Sequence, residues 1–402
     1  MTAAESRAVP LALPAVPLPA AADHPWRDRM LIGVFAALLA AGFAGAVFNR
    51  DRTVTLFENR NAAPWPTWPA TAEAERAWPR AFEAAFADRF GGRETLIALH
   101  HGTKVHVFGV SPIPTTMIGR DGWLYFLGED GKALDRDYRG VAPFPADEPA
   151  RMAAEFKRRH DFLAALGIAY VVMIVPDKAT IYPEQLPQWV KKRPAPTRLD
   201  RLYAALAAYP DLNVIDLRPA LGAAKTRGRL YYKTDSHWNF RGAAVGYEQL
   251  AAVVKTVLPG FPAVPPEPPA WLPGPDYVGD IARGIGLPHA FREGDGGPVG
   301  KDVGNAPPRC AHPATVPFSP GRHPPVNETY VFECARPGLP SAVVYRDSMA
   351  IPLVPLLAEN FRRVVFISDR HLARAFVKTE RPDIVIDEIV ERGMHIPAAF
   401  PM

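Results

Sequence analysis

The chain has 402 residues and carries 46 basic against 42 acidic side chains, a formal net charge of +4. That length gives ample core for one large domain or two ordinary ones. With no long block of Lys and Arg, a nucleic-acid partner is not expected, because phosphate binding needs clustered cations. Forty-five prolines without a fixed-period repeat point to long ordered loops rather than a repeat array or a collagen-like chain.

Residues 1–29 are rich in Ala and Pro, lack periodicity and read as a disordered tail. Met30–Phe48 is free of charge and flanked by Arg27 and Arg29 on one side and Arg50 and Arg52 on the other. As a helix it would span roughly 28 Å, close to the thickness of a bilayer core. Ala44-Gly45-Ala46 resembles a signal-peptidase site, but the segment before the apolar run is long for a signal peptide, so a retained anchor is expected. The count of flanking basic residues is nearly balanced and orients the span weakly. Residues 49–79, with Pro64-Trp65-Pro66-Thr67-Trp68-Pro69, read as an extended connector in which prolines block helix.

The remainder, 80–402, is expected to form the main domain. Ala74–His101 has helical spacing, with Phe82, Phe86 and Phe90 on one face and Gly91-Gly92 dividing it into two helices. Gly119–Phe126 reads as a turn feeding a strand. Helices are then expected over Glu148–Leu166, Leu199–Ala208, Phe240–Val257, Ile351–Asn360 and His371–Val377. Strands are expected over Tyr170–Val175, Asn213–Leu217, Ala342–Tyr345, Val364–Ser368 and Ile384–Ile389. Fully apolar strands alternating with helices mean an α/β fold with a mostly parallel sheet flanked by helices. Residues 259–340, rich in Pro and Gly, interrupt the alternation and read as an irregular insertion.

In a sheet of that kind ligands collect beyond the carboxyl ends of the strands. Two polar segments fall there. Tyr232-Lys233-Thr234-Asp235-Ser236-His237-Trp238-Asn239 sets an acid two residues before an imidazole. Ser341–Tyr345 is an apolar run that ends in Arg346-Asp347-Ser348. A serine hydroxyl attacks a carbonyl only when a base takes its proton, and the base works in one tautomer only when an acceptor holds its far nitrogen. Ser348, His237 and Asp235 supply those parts. The N–H of Ser348, at a strand-to-helix corner, is a candidate oxyanion donor. The plainer alternatives are that Asp235 caps a turn, that His237 packs on Trp238 and that Ser348 caps a helix. Asp347 is read as a cap or turn anchor, and Arg346 is expected to pair with it.

Cys310 and Cys334 are the only cysteines. In an exported domain such a pair reads as a disulfide, and two buried thiols are the alternative. Their spacing fits no zinc motif. No cofactor is expected.

The chain resembles the polysaccharide O-acetyltransferases of the alginate type, the family of AlgJ and AlgX with an SGNH hydrolase-like domain. The residues that carry the resemblance are Asp88-Arg89-Phe90 with Arg93, Gly119–Phe126, Pro176–Glu184, Thr234–Asn239 with Gly242-Ala243, Arg346-Asp347-Ser348, and Pro382–Ile386 leading to Glu391-Arg392. The Asp-x-His-Trp segment is the specific one. The resemblance implies Asp235, His237 and Ser348 as a triad, in an order that places the Asp/His pair before the serine. It also implies a periplasmic enzyme on the inner membrane, a polysaccharide acceptor and a membrane-bound O-acyltransferase partner that delivers acetyl. Arg346 departs from the glycine that often precedes Asp-Ser in SGNH proteins, and no carbohydrate-binding module is expected after the catalytic part.

Three other functions compete. An acetylesterase would use the same triad with water as acceptor. A metal-dependent deacetylase would need Asp235 and His237 as ligands, completed by His289, His312 or His323, none of which has ligand-like spacing. A glycan-binding or scaffold subunit of an export complex would use Trp65, Trp68 and Trp123 as stacking surfaces.

Overall fold

The computed structural model describes residues 25–48, 54–55, 60–141, 145–265, 277–293, 311–314 and 329–395. The chain divides into one unit of Met1–Leu56 with Arg60–Arg93 and a second of Phe57–Asn59 with Glu94–Met402. The first unit holds helix α1 (Pro25–Phe48), a two-residue ladder of β1 (Val54–Thr55) with β2 (Arg60–Asn61), and helix α2 (Ala72–Arg89). Helix α1 has 24 residues and a mean hydropathy of 2.3, long and apolar enough to cross a membrane. Thr71 caps α2 by accepting the Ala74 N–H at 3.2 Å, the expected use of Thr at this position. Along α2, Trp78, Phe82 and Phe86 stack ring on ring, as four-residue spacing on one helix face allows. Trp65 packs on Phe82, so it serves the unit's own packing rather than offering a free face.

The second unit takes up helix α3 (Arg93–His106) and the hairpin of β3 (Thr116–Ile118) with β4 (Leu124–Phe126). The hairpin turn uses left-handed backbone at Asp121 and Gly122, conformations that Gly and Asp adopt at least cost. There follow α4 (Glu148–Ala164), β5 (Ala169–Val175), α5 (Lys178–Ile181), α6 (Arg198–Leu206), β6 (Asn213–Asp216), α7 (Arg218–Ala224) and α8 (Phe240–Val257). Next are α9 (Asp280–Gly284), β7 (Ala311–Pro313), β8 (Tyr330–Cys334) and β9 (Ser341–Tyr345). A 3-10 turn over Ser348–Leu353 leads into α10 (Val354–Ala358), then β10 (Arg363–Ile367), α11 (Arg374–Glu380) and β11 (Ile384–Val390).

The sheet runs β6-β5-β11-β9-β10-β8-β7. Its first five strands are parallel, and β8 and β7 extend it by antiparallel pairing. The α/β expectation holds, and β8 and β7 add two strands that the sequence reading left inside the irregular stretch. Both faces are covered. Val171, Met173, Val344, Ile386 and Phe366 lie in one apolar cluster with residues of α7, α8 and α10. Their neighbours Val172, Ile174, Val343, Val385 and Val365 lie in the other with residues of α4, α6 and α11. Alternation of side chains along each strand sends successive residues to opposite faces, so strands covered on both sides must be apolar throughout.

Helix α8 starts where the sequence reading placed it, because Asn239 accepts the Gly242 N–H at 3.2 Å. The region expected to be helical over Ile351–Asn360 begins instead with the 3-10 turn, which contains Pro352. Cys334 ends β8, is buried and is disulfide-bonded; its expected partner, Cys310, lies outside the described residues.

Candidate active site

The carboxyl ends of β5, β9 and β11 open at one edge of the sheet. Each carries polar residues there: Asp177 and Lys178 after β5, Asp347 and Ser348 after β9, Glu391 and Arg392 after β11. The loop of residues 228–239 enters α8 at this edge. It brings Asp235 and His237 to Ser348.

His237 Nε2 lies 2.8 Å from Ser348 Oγ, and His237 Nδ1 lies 2.6 Å from Asp235 Oδ1. Asp235 Oδ1 also accepts the backbone N–H of His237 at 3.0 Å, which ties the carboxylate and the ring into one local turn. Its second oxygen accepts from the Tyr277 hydroxyl at 2.7 Å and from the Asp280 N–H at 2.9 Å. With Nδ1 donating to a carboxylate, Nε2 is left as the acceptor that faces the hydroxyl. Ser348 itself is exposed, at the first position of its 3-10 turn.

Several contacts hold this arrangement. The Trp238 indole is buried and donates from Nε1 to the Met349 carbonyl at 2.7 Å. Gly246 makes room for that ring, because a Cβ there would come within 2.7 Å of it. The buried ammonium of Lys178 donates to the carbonyl oxygens of Tyr232, Lys233 and Asp235 at 3.0, 3.0 and 2.7 Å. On the serine side, Asp347 Oδ1 accepts the Met349 N–H at 2.9 Å and Oδ2 accepts the Val390 N–H at 2.8 Å. Asp347 is therefore a cap and turn anchor. Its ion-pair partner is Arg370, at 3.1 Å, which corrects the expected pairing with Arg346. Arg346 instead donates to the Asp347 carbonyl at 3.2 Å and lies over the Tyr330 ring.

The electrostatics follow from burial and pairing. Burial favours the neutral form of Asp235, but the His237 hydrogen bond and charge, with the Tyr277 and Asp280 donors, hold it well below the usual carboxylate range. For His237 burial opposes the imidazolium, and the Asp235 carboxylate outweighs it and raises the pKa. Burial depresses Lys178 to about 8 against the pull of Asp235, Glu293 and Asp280. Asp280 is raised by burial and by the charge of Asp235.

Tyr277, Asp280 and Lys178 have no role in the sequence reading. Lys178 is visible there only as part of Pro176–Glu184, and Tyr277 and Asp280 fall inside the irregular stretch. Of the histidines considered as metal ligands, His289 bonds Arg292, and the side chains of His312 and His323 lie outside the described residues. Trp123 is buried at 4% exposure, which removes it as a sugar-stacking surface.

Residues 116–293 match the family model of the SGNH hydrolase-like domain of acetyltransferase AlgX. The chain is 28% identical over 207 residues to a probable alginate O-acetylase AlgJ of Pseudomonas syringae pv. tomato, covering 50% of each chain. It is 25% identical over 261 residues to the protein of the same description from Azotobacter vinelandii, covering 63% of this chain and 62% of that one. The chain thus spans about half to three fifths of the length of these curated relatives. Among solved structures, the O-acetyltransferase domain of Pseudomonas putida AlgJ is similar at a TM-score of 0.44 and 19% identity, over 70% of this chain and 92% of that one. The matched residues hold Asp235 and His237, and over them the chain is similar to the SGNH hydrolase-like domain of the AlgX/AlgJ proteins.

Proposed function

We propose that this protein is an O-acetyltransferase that carries acetyl on Ser348 and passes it to a hydroxyl of a polysaccharide outside the cytoplasm. The single observation that carries the reading is the unbroken line of contacts Asp235–His237–Ser348, with its serine open to solvent. The match to an acetyltransferase family and relatives described as alginate O-acetylases support the choice of acetyl as the group moved.

Ser348 Oγ attacks the acetyl carbonyl of a donor ester while its proton passes to His237 Nε2. The carbonyl oxygen gains negative charge, and the Ser348 N–H would donate to it. Collapse expels the donor's alkoxide, which takes the proton from Nε2, leaving acetyl-serine. A sugar hydroxyl then gives its proton to Nε2 as its oxygen attacks, and the serine leaves with that proton restored. Asp235 keeps Nδ1 protonated and stabilises the imidazolium formed in both halves.

Helix α1 supports a membrane anchor that holds the enzyme at the periplasmic side of the inner membrane. A membrane-bound O-acyltransferase would supply acetyl there. Exposure of Ser348 also favours a second reading, an acetylesterase in which water takes the place of the sugar. Incubation with an activated acetyl ester separates them. The transferase yields a single acetyl on Ser348 by mass analysis and acetylated glycan when glycan is added; the esterase releases acetate at the same rate with or without glycan. Absence of any acetyl on Ser348 and of any turnover would overturn both.

A further inference from the structure

We propose that Asp280 is a positioning residue that locks Ser236 beside the His237 ring and gives the imidazolium a second carboxylate. This rests on the reading of His237 as the general base. The geometry is bidentate. Asp280 Oδ1 accepts the Ser236 N–H at 2.7 Å and Oδ2 accepts the Ser236 hydroxyl at 2.5 Å. The Ser236 oxygen lies 3.2 Å from His237 Nδ1, and Asp280 Oδ2 lies 3.6 Å from the same nitrogen. The proton on Nδ1 is donated to Asp235, and the Asp280 carboxylate stands beside the same nitrogen as a charge at 3.6 Å, with Ser236 between them.

The segment that bears Asp280 is held against the loop by its own backbone. Gly279 N–H donates to Thr234 Oγ1 at 2.9 Å, and the Ala282 N–H to the Thr234 carbonyl at 3.2 Å. A Cβ on Gly279 would fall 2.2 Å from the Thr234 carbonyl atoms, so the approach requires glycine. Behind it, Ile281, Ala282 and Ile285 pack with Leu124 and Val105. The carboxylate thus sits on a packed support rather than on a free loop.

The other charges near His237 come from three elements. Asp235 stands on its own loop, Arg392 follows β11 and opposes protonation of the ring, and Lys178 on α5 has Asp235, Glu293 and Asp280 as its acidic neighbours. Removing one of two carboxylates leaves Arg392 and Lys178 less opposed. The imidazolium is then less stable, both at rest and in the transition state.

The test compares wild-type protein with Asp280→Asn and Asp280→Glu, using the full chain and an activated acetyl ester. In Asp280→Asn the acid limb of kcat/KM should move down by about one pH unit, the plateau should fall roughly tenfold and KM should hold. Asp280→Glu should restore the limb. In parallel, the His237 ring is titrated by NMR, assigned by its loss in His237→Ala, and its midpoint should fall in Asp280→Asn by the same amount. A lower plateau with neither limb nor midpoint moved would overturn the proposal and leave Asp280 a support only. A midpoint that falls while the rate profile stays fixed would uphold the contact and overturn instead the role of His237 as base.

Discussion

The indole nitrogen of Trp238 and the carbonyl oxygen of Met349, 2.7 Å apart, join the residue after His237 to the residue after Ser348. Two segments more than a hundred positions apart in the chain are thereby latched at the next residue along from the reacting atoms. Trp238→Phe keeps most of the packing and removes the donor, leaving a buried carbonyl unsatisfied. The expected cost is about 1–3 kcal/mol of stability. A looser base–nucleophile distance is expected to lower kcat about tenfold. Chemical denaturation and steady-state rates on the same preparation measure both; an unchanged kcat would show that the latch serves the fold alone.

Substitutions within the line of three follow from the parts each supplies. Ser348→Ala removes the nucleophile and His237→Ala the base, and each should lower acyl transfer by roughly 10³-fold or more. Asp235→Asn leaves a base in place but no longer fixes its tautomer, so weak activity should persist. Circular dichroism should show all three folded. Near-normal rates in any of them would remove the scheme.

The parts of this site that sequence makes legible are those with a local signature. Apolar runs that end at Pro176 or Arg346 are strands buried on both faces, and polar residues after such runs must lie at the carboxyl edge. Asn239 before Phe240 announces a capped helix. What contacts Asp235 from the far side has no such signature, because Tyr277 and Asp280 reach it across 42 and 45 residues of chain. They also lie among prolines and glycines, where neither period of hydrophobicity develops. Strand β8 does carry a local signature, the β-forming run Tyr330-Val331-Phe332, which reading 259–340 as wholly irregular passes over. The expected Arg346–Asp347 pairing is replaced by others: the Asp347 carboxylate takes the Met349 and Val390 N–H groups and Arg370, while the Arg346 guanidinium lies over the Tyr330 ring.

The pH dependence has a fixed sign. The base acts neutral, so kcat/KM should rise as His237 loses its proton. Burial works against the imidazolium, but Asp235 outweighs it, so the limb is centred above the ordinary 6.5. The same pair contributes to folding. The depressed Asp235 contributes stability above its unfolded value of 3.8 that is lost as pH falls through its folded value. The raised His237 contributes below 6.5 and loses that contribution as pH rises through its folded value. The stability difference between wild type and Asp235→Asn should therefore be greatest in mildly acid solution and shrink toward alkaline pH. A difference that is flat from pH 5 to 9 on the scale of about 0.5 kcal/mol would show that the two groups do not titrate together.

Lys178 gives the last test, because one ammonium serves three carbonyls. Its donors meet the backbone of Tyr232, Lys233 and Asp235, the stretch that leads into His237. Lys178→Met has similar length and fills the space over Trp123 and Tyr125, but it takes the ammonium donor from the Tyr232 and Asp235 oxygens, while the Lys233 oxygen keeps the Leu124 N–H at 2.8 Å. At about 1–3 kcal/mol for each unsatisfied group, the loop should give way before the fold does. The expected result is a loss of acyl transfer of at least tenfold with the thermal transition still cooperative. Burial also holds the ammonium near a pKa of about 8. Above that pH the neutral amine has two N–H groups for three acceptors, and wild-type activity should fall on an alkaline limb centred there. Lys178→Arg stays charged at every pH tested and should lack that limb, whatever its plateau. An alkaline limb kept unchanged in Lys178→Arg would assign it to another group.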